Sequence, residues 1–364
     1  MKTLHVNLGE RSYPIHIGEG IVDRLGDWFG ERQLSRRSPL MIVSDQAVAD
    51  LHLPRVRAVL EEAGYRVATA VVPSGETSKS LAMLEKLVGE ALKAGLDRRS
   101  AIVALGGGVV GDLAGFVAAS YMRGIKFVQL PTTILAHDSA VGGKVAVNHP
   151  LAKNIIGAFH QPELVLFDTS LLKTLPEREV RAGLSEVVKH GLIWDREFVE
   201  WCETNAERLL ALDGEALTYA LYHGCGVKAK VVSQDEREGG LRAILNLGHT
   251  FGHAFEAVAQ YDEFVHGEAI SIGMVGAAKL AVRFGRSPEI YHVTKRVLQK
   301  FGLPVRLPGH ISTDAVMSAM MHDKKFREGK MVFVVPEEIG KVEIRKDVPA
   351  EWVREIVEEL KSEG

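Results

Sequence analysis

Apolar positions in the first half of the chain form short runs, and segments of helical periodicity separate most of them. Leu4–Leu8 and Tyr13–Ile17 alternate between apolar and polar residues around Gly9–Ser12, which predicts an antiparallel hairpin. Later apolar runs are typical of buried strands: Leu40–Val43, Val67–Val72, Ala101–Leu105, Phe127–Leu130 and Leu164–Phe167. Alternation with helical segments such as Ser78–Ala94 predicts a largely parallel sheet covered by helices.

Helical periodicity dominates the chain after Thr174–Pro176. It predicts helices over Glu177–Ile193, Glu197–Leu210, Ala216–Ser233, Thr250–Ala259, Glu268–Phe284 and Tyr291–Phe301, a small hairpin from Met331–Val335 and Val342–Ile344, and a charged amphipathic helix from Ala350 to Gly364. A length of 364 residues suggests two domains. We expect a Rossmann-like α/β domain over residues 1–175, a mostly α-helical domain over residues 176–364, and a ligand site in the cleft between them.

Composition and charge limit the range of partners. The chain is 46% hydrophobic and 25% charged, and its formal charge of −3 lacks the basic excess that nucleic acids and anionic membranes attract. No apolar run reaches the ~18–20 residues of a membrane helix, and the N-terminus lacks the apolar core of a signal peptide. Cys202 and Cys225 form no CxxC pair. We expect a cytoplasmic protein that binds neither nucleic acid nor membranes.

A glycine-rich turn follows the run Ala101–Leu105. Gly106, Gly108 and Gly111 have the GxGxxG spacing and precede a helical segment, Gly111–Tyr121. Glycines let the backbone approach a pyrophosphate, and a helix N-terminus offers N–H groups and the positive end of its dipole. A plain tight turn is the structural alternative.

Further nucleotide contacts would have to come from other segments, because no Asp or Glu follows at the usual distance to hold a ribose. Candidates are Asp45, the stretch Ser74–Lys79, and Thr132 with Thr133. The polar segment from Asp138 to Asn154 adds Lys144 and Lys153 beside glycines and an asparagine. It fits a loop that binds an anion, or simply a solvated loop.

Histidines and carboxylates cluster in two later segments. His249 and His253 are four residues apart and share a helical face with Asn246, and His266 follows after a turn. Upstream, Glu186, Lys189 and His190 occupy one face of another helix. A catalytic zinc site needs about three protein ligands and an open position. Glu186, His249 and His266 could supply them, as could His249 and His253 with a carboxylate, and the residue types do not choose.

Several longer segments resemble the 3-dehydroquinate synthase family. They are GETSKS, GGGVVGDLAGFVA, YMRGIKFVQLPTTILAHDSAVGGK, NHPLAKNIIGAFHQP, AGLSEVVKHGL, KAKVVSQDEREGGLRAILNLGHTFGHAFE, HGEAISIGM and MHDKK, in the expected order from about Asp45 to Lys325. One departure is a TTILAHDSAVGGK loop one residue shorter than the commoner form, near His137. The fold that this resemblance implies is dehydroquinate synthase-like, with a helical C-terminal domain.

The resemblance also implies a reaction. 3-Deoxy-D-arabino-heptulosonate 7-phosphate would become 3-dehydroquinate and phosphate, a step of the shikimate pathway of aromatic amino-acid biosynthesis. NAD would oxidise the C5 alcohol transiently, phosphate would leave by elimination, and re-reduction and an internal aldol closure would follow. The implied cofactors are NAD and one divalent ion, most often Zn²⁺, with Co²⁺ as a substitute.

Site residues follow from the resemblance position by position. The implied metal ligands are Glu186, His249 and His266. The implied catalytic residues are Asp138, Lys144, Lys189, Lys228, Arg242, Asn246 and His253. Further substrate contacts are implied at Arg123, Asn154 and Lys325, for which Lys324 is an alternative, and Arg123 would reach a neighbouring subunit in a homodimer. The implied NAD contacts are Asp45, Glu76, Lys79, Gly107, Gly108, Asp112, Thr132, Thr133, Lys144, Lys153 and Thr174.

Two other enzymatic functions share parts of this pattern. Another sugar phosphate cyclase would act on a substrate without a carboxylate, and the basic residues Lys228 and Arg242 favour a carboxylate-bearing one. A metal-dependent polyol dehydrogenase would accumulate NADH with its product. A non-catalytic ligand-binding protein would bind NAD and turn nothing over.

Overall fold

The computed structural model describes residues 1–259, 263–322 and 331–362. Contacts divide the chain into two compact units, Met1–Leu175 with Leu217–Arg237, and Pro176–Ala216 with Glu238–Gly364. The sequence predicted one boundary, between residues 175 and 176, and placed residues 217–237 in the second domain. Their helix instead packs with the first unit. Helical periodicity shows that a face is buried, but it does not show against which part of the chain.

The strands alternate with helices through the first unit. The strands are β1 (Lys2–Val6), β2 (Tyr13–Gly18), β3 (Leu40–Asp45), β4 (Val67–Val72), β5 (Ala101–Gly106), β6 (Lys126–Pro131), β7 (Lys144–His149), β8 (Ala152–Phe159) and β9 (Leu164–Asp168), with β10 (Phe333–Glu338) and β11 (Lys341–Arg345) in the second unit. Seven of the described strands form one sheet in the order β1-β2-β9-β6-β5-β3-β4. β1 pairs antiparallel with β2, and the other neighbours are parallel. The predicted N-terminal hairpin and parallel sheet are confirmed.

Helices cover this sheet and build most of the second unit. They are α1 (Leu25–Glu31), α2 (Gln46–Glu62), α3 (Leu81–Lys93), α4 (Gly108–Ser120), α5 (Ala136–Ser139), α6 (Glu177–Trp194), α7 (Arg196–Thr204), α8 (Ala206–Leu210), α9 (Gly214–Gln234), α10 (His249–Val258), α11 (His266–Arg283), α12 (Glu289–Lys300), α13 (Thr313–His322) and α14 (Ala350–Ser362). The predicted fold class, a parallel-sheet α/β domain followed by a mostly helical region, is confirmed.

Successive residues of the central strands fill two separate cores. Side chains alternate between the two faces of a sheet. Ile42 and Val103 therefore join one apolar cluster, with α1 and α2, whereas Met41 and Ile102 join the other, with α3 and α4. This double burial explains why β3 and β5 are continuous apolar runs rather than alternating ones.

The predicted polar loop from Asp138 to Asn154 contains strands in the structure. We expected a polar loop, but β7 and β8 form an antiparallel hairpin in which Val145 pairs with Ala158 and Val147 with Ile156. Val145 and Val147 are buried against the α3–α4 face of the sheet. Their alternation with Ala146 and Asn148 is the strand signal, and the glycines and lysines of the segment obscured it.

Shorter corrections concern helix boundaries. α4 begins at Gly108 rather than Gly111, so the glycine turn itself contributes the first helical turn. The predicted helix Glu197–Leu210 is two helices, α7 and α8, with Asn205 between them. Across residues 1–259, 263–322 and 331–362, no helix has both the length and the apolar character needed to cross a bilayer.

Candidate active site

Three helices of the second unit bring one carboxylate and two imidazoles together. Glu186 lies on α6, His249 opens α10 and His266 opens α11. Oε1 of Glu186 lies 3.9 Å from Nε2 of His249 and 3.8 Å from Nε2 of His266. One possible ligand atom from each of the three residues lies within 4.8 Å of the others.

This cluster fits a divalent metal ion. Oε1 of Glu186 is buried, and no hydrogen-bond partner reaches it in the described part of the chain. A buried carboxylate oxygen without a partner is unfavourable, and a cation would offset that cost. Ligands ~2.0–2.1 Å from a tetrahedral zinc ion lie about 3.4 Å apart, so Oε1 of Glu186 would have to approach Nε2 of each histidine by only about 0.5 Å.

The structure narrows the choice of ligand sets that the sequence left open. Glu186, His249 and His266 form one set, and His253, Glu256 and His266 form a second. Within the described ranges, no such set contains both His249 and His253. The three imidazoles are nevertheless neighbours, since the ring centroids of His249 and His253 are 5.3 Å apart.

The second nitrogen of each candidate ligand histidine faces a protein acceptor. Nδ1 of His249 lies 3.1 Å from the carbonyl oxygen of Leu247. Nδ1 of His266 lies 3.3 and 3.4 Å from the two carboxylate oxygens of Glu256. Burial lowers the pKa of His266, but the hydrogen bond and charge of Glu256, and then the charge of Glu186, raise the pKa by more, so it is raised overall.

Glycines let the helix backbones come close enough to form the cluster. Gly248, immediately before His249, has a φ of +80°, in the left-handed region that favours glycine. A Cβ at Gly273 of α11 would overlap the carbonyl oxygen of Gly248, and a Cβ at Gly267 would overlap that of Ala182 on α6. These contacts bring His266 to the same place as Glu186 and His249.

Four more of the proposed site residues lie in the second unit. Lys189 and Glu186 form an ion pair one helical turn apart, and each side chain is only 1% exposed. Arg242 is buried in the 3₁₀ turn Leu241–Asn246. Nδ2 of Asn246 donates to the carbonyl oxygen of Ala243 at 3.2 Å. The ring centroid of His253 lies 6.0 Å from that of His266.

In the first unit, Lys79 is the centre of a buried polar network. Its Nζ donates to Oδ2 of Asp112 at 2.7 Å and to Oδ1 of Asn154, and it lies 3.7 Å from Oε1 of Glu76. Asn148 ties these residues together. Its Nδ2 donates to Glu76 at 2.7 Å, its Oδ1 accepts from the backbone N–H of Asn154 at 2.8 Å, and its own N–H donates to the carbonyl of Lys79 at 2.8 Å.

The glycine turn and the neighbouring strand ends lie at the carboxyl edge of the sheet, where open α/β sheets bind ligands. Gly107 precedes the first residue of α4, and a Cβ there would lie 2.9 Å from Cγ2 of Thr133. Oγ1 of Thr132 is buried, and no hydrogen-bond partner reaches it among the residues described. Oδ1 of Asp45 caps α2 by accepting from the N–H groups of Ala47 and Val48.

Asp138, on α5, lies beside Lys228, on α9. Nζ of Lys228 donates to the carbonyl oxygen of Asp138 and lies 3.2 Å from its Oδ1. The shortened loop forms α5, which buries His137 completely and places its Nδ1 2.7 Å from the carbonyl of Ile134. In this shorter loop Asp138 lies beside Lys228.

The remaining proposed residues are distributed over the first unit. Lys144 begins β7 and Lys153 lies on β8, both exposed. Oγ1 of Thr174 lies 2.9 Å from Nε2 of His52. Arg123 is exposed, and it and Met122 both have positive φ, +66° and +50°. Lys324 and Lys325 lie outside the described residues.

Solved structures with this fold include synthases and dehydrogenases. A 2-deoxy-scyllo-inosose synthase in complex with carbaglucose-6-phosphate, NAD⁺ and Co²⁺ is 28% identical, with a TM-score of 0.90 over 98% of this chain and 100% of that one. The 2-epi-5-epi-valiolone synthase of Streptomyces hygroscopicus, with NAD⁺ and Zn²⁺ bound, is 26% identical, with a TM-score of 0.86 over 97% and 98%. An iron-containing alcohol dehydrogenase from Thermococcus thioreducens, 17% identical over 96% and 98%, has a TM-score of 0.69 and shares the fold.

Sequence relatives separate these classes. Residues 69–182 match the family model for the N-terminal part of 3-dehydroquinate synthase, and residues 183–326 match that for the C-terminal part. The 3-dehydroquinate synthase of Desulforamulus reducens is 51% identical over 96% of this chain and 97% of its own length. That of Pelotomaculum thermopropionicum is 50% identical over 98% and 96%. The chain belongs to the 3-dehydroquinate synthase family, as its motifs indicated.

Proposed function

We propose that the protein converts 3-deoxy-D-arabino-heptulosonate 7-phosphate to 3-dehydroquinate and phosphate. The observation that carries the proposal is identity of 50–51% with 3-dehydroquinate synthases over nearly the whole chain. The cluster of Glu186, His249 and His266 supports it independently, since the reaction needs a metal site.

NAD and one divalent ion, Zn²⁺ first and Co²⁺ as a substitute, are the proposed cofactors. Related synthases in solved structures hold NAD⁺ together with Co²⁺ or Zn²⁺. When bound, the dinucleotide would accept and return a hydride, and the ion would act as a Lewis acid on the hydroxyl that is oxidised. Glu186, His249 and His266 would hold the ion. The Lys79 network, Gly107, Gly108 and Thr132 would hold the dinucleotide.

The side chains of the protein have their own tasks in this scheme. Lys189 keeps one oxygen of Glu186 occupied, so that only Oε1 is available to a cation. Lys228 and Arg242 would bind the substrate carboxylate, because cationic groups bind such anions through charge-assisted hydrogen bonds. His253, beside the ligand histidines, would handle a proton during elimination.

A homodimer and a cytoplasmic location are part of the proposal. Arg123 is exposed on a turn where two successive non-glycine residues adopt left-handed conformations. Such strain persists mainly where function requires it, and an arginine that reaches a neighbouring subunit's phosphate would be such a case. Neither cysteine is in a disulfide, which is usual for cytoplasmic proteins.

One assay tests the proposed reaction. Purified protein with Zn²⁺ and a catalytic amount of NAD should release phosphate from the heptulosonate phosphate, and a chelator should abolish the release. Stoichiometric accumulation of NADH would instead indicate a polyol dehydrogenase. Phosphate release from a hexose 6-phosphate, without any from the heptulosonate phosphate, would indicate another sugar phosphate cyclase.

Two variants test the ligand set. His249→Ala should lose the bound metal ion, whereas His253→Ala should largely retain it while losing activity. Equal metal loss in the two variants would contradict the assignment of Glu186, His249 and His266.

A further inference from the structure

Glu256 is a buried carboxylate beside the candidate metal cluster, and it is not among the site residues that the sequence motifs implied. It lies three residues after His253 and seven after His249 on α10, which places all three on one helical face. Its carboxylate faces across to α11, where both oxygens lie within 3.4 Å of Nδ1 of His266. The side chain is only 10% exposed.

This contact determines which nitrogen of His266 is available to a cation. A carboxylate accepts hydrogen bonds, so Nδ1 carries the proton and Nε2 keeps its lone pair. Nε2 is the nitrogen that lies 3.8 Å from Oε1 of Glu186. The contact of Nδ1 of His249 with the carbonyl of Leu247 does the same for the other histidine.

We propose that Glu256 is a positioning residue that holds the ring of His266 in the tautomer and orientation needed to bind the metal ion. The inference rests on the proposed metal site. Its alternative is that Glu256 is itself a ligand, in the set with His253 and His266. Two observations favour the positioning role. Both oxygens of Glu256 lie against Nδ1 of His266, and the buried oxygen without a hydrogen-bond partner belongs to Glu186.

Metal affinity and the spectrum of bound Co²⁺ distinguish the two roles. Partners of metal-bound histidines typically contribute about 10- to 100-fold to metal affinity. We expect Glu256→Ala to raise the Zn²⁺ dissociation constant, measured by competition with a chelator, by about that factor. Glu256→Gln should raise it less, because its amide oxygen still accepts from Nδ1. The visible bands of the Co²⁺-loaded Glu256→Gln protein should keep their positions, because the ligands are unchanged.

Glu203→Gln is the matched control. Glu203 lies on α7 and is paired with Arg296. Its substitution removes the same charge from the same unit without changing a contact of the histidines. It should leave metal affinity unchanged, and thermal unfolding of the metal-free proteins would show that all variants fold. A dissociation constant equal to that of the wild type in both Glu256 variants would overturn the inference.

Other outcomes separate this inference from the proposed function. If Glu256→Ala abolishes binding and Glu256→Gln shifts the Co²⁺ bands, while His249→Ala keeps the ion, then Glu256 is a ligand and the positioning role is wrong. A wild-type protein that binds no ion would overturn the proposed metal site and the inference together. A wild type that binds one ion per chain, with affinity unaffected by Glu256, would overturn the inference alone.

Discussion

Lys189 pairs with one oxygen of Glu186 and leaves the other turned toward two histidines. The two side chains are one helical turn apart on α6, and each is 1% exposed. Oε2 accepts from the ammonium group, whereas Oε1 lies within 3.9 Å of Nε2 of both His249 and His266. One buried carboxylate is thus shared between the Lys189 ion pair and the candidate metal position. The stabilisation that Lys189 contributes should therefore depend on whether a metal ion is bound.

Removal of the Lys189 ammonium should destabilise the metal-free protein more than the protein with bound Zn²⁺. Lys189→Met leaves Glu186 buried without its cation, and the loss of one partner of a buried ion pair costs about 3–5 kcal/mol. A bound Zn²⁺ ion neutralises the same carboxylate, so the loss should be much smaller in its presence. Urea unfolding with chelator and with Zn²⁺ measures both values.

Lys341→Met is the control for that experiment. Lys341 is paired with Glu337 at 2.8 Å but is 64% exposed, and exposed pairs contribute little to stability. It should change neither unfolding curve appreciably. Equal destabilisation by Lys189→Met with and without Zn²⁺ would mean that the ion does not bind at Glu186.

Gly267 should be intolerant of even a methyl group. A Cβ there would overlap the carbonyl oxygen of Ala182, so Gly267→Ala would force α6 and α11 apart. Overpacking of this kind costs about 1–3 kcal/mol, and Zn²⁺ affinity should fall as well because the two helices carry Glu186 and His266. Thermal unfolding and chelator competition measure these effects. Gly309→Ala, with no atom within 4 Å of the added carbon, should change neither.

Asn148 should matter for NAD binding, although it is not one of the NAD contacts that the family resemblance implies. Its side chain connects Glu76 to the backbone of Asn154 through two hydrogen bonds, and both neighbours surround Lys79. Asn148→Ala should weaken NAD binding about tenfold, since each lost hydrogen bond contributes about 0.5–1.5 kcal/mol. Calorimetric titration measures the affinity. The exposed Asn7 offers a control, and Asn7→Ala with an equal loss would contradict the prediction.

The two cysteines should be inert in the folded protein. Burial raises the pKa of the Cys225 thiol to about 12, from an ordinary value of 9.0, and burial raises that of Cys202 as well. A thiol-specific reagent at pH 8 should therefore label neither residue until urea unfolds the chain. Rapid labelling of the native protein would contradict this.

The raised pKa of Cys225 should also lower the stability of the protein at high pH. Above pH 9 the unfolded chain loses thiol protons that the folded chain retains, so the unfolded state binds fewer protons and stability falls as pH rises toward 12. Replacement of Cys225 by Ser or Ala should reduce this part of the pH dependence. Urea unfolding at pH 8 and pH 10 provides the comparison.

Much of the fold followed from local patterns. The apolar runs of β3, β4, β5, β6 and β9 were predicted within two residues at each end, because a strand buried on both faces has a continuous apolar sequence. The hairpin of β7 and β8 was not predicted, because its apolar positions are few and lie among glycines, lysines and asparagines. Its burial depends on α4, which packs against it from earlier in the chain.

Residue types and periodicity determined that the chain would have a parallel sheet, a helical second half, a glycine turn at a strand end, and histidines on one face of α10. Residue types left the ligand set open, the family resemblance implied Glu186, His249 and His266, and the tertiary structure brings these three together. Only the tertiary structure decided that Glu256 contacts Nδ1 of His266 and that Asn148 joins Glu76 to Asn154. The physical reason is the range of each signal. Periodicity reports the burial of a face within about one helical turn, whereas contacts such as those of Glu186 with His266 and of Glu76 with Asn148 join elements that are far apart in the chain.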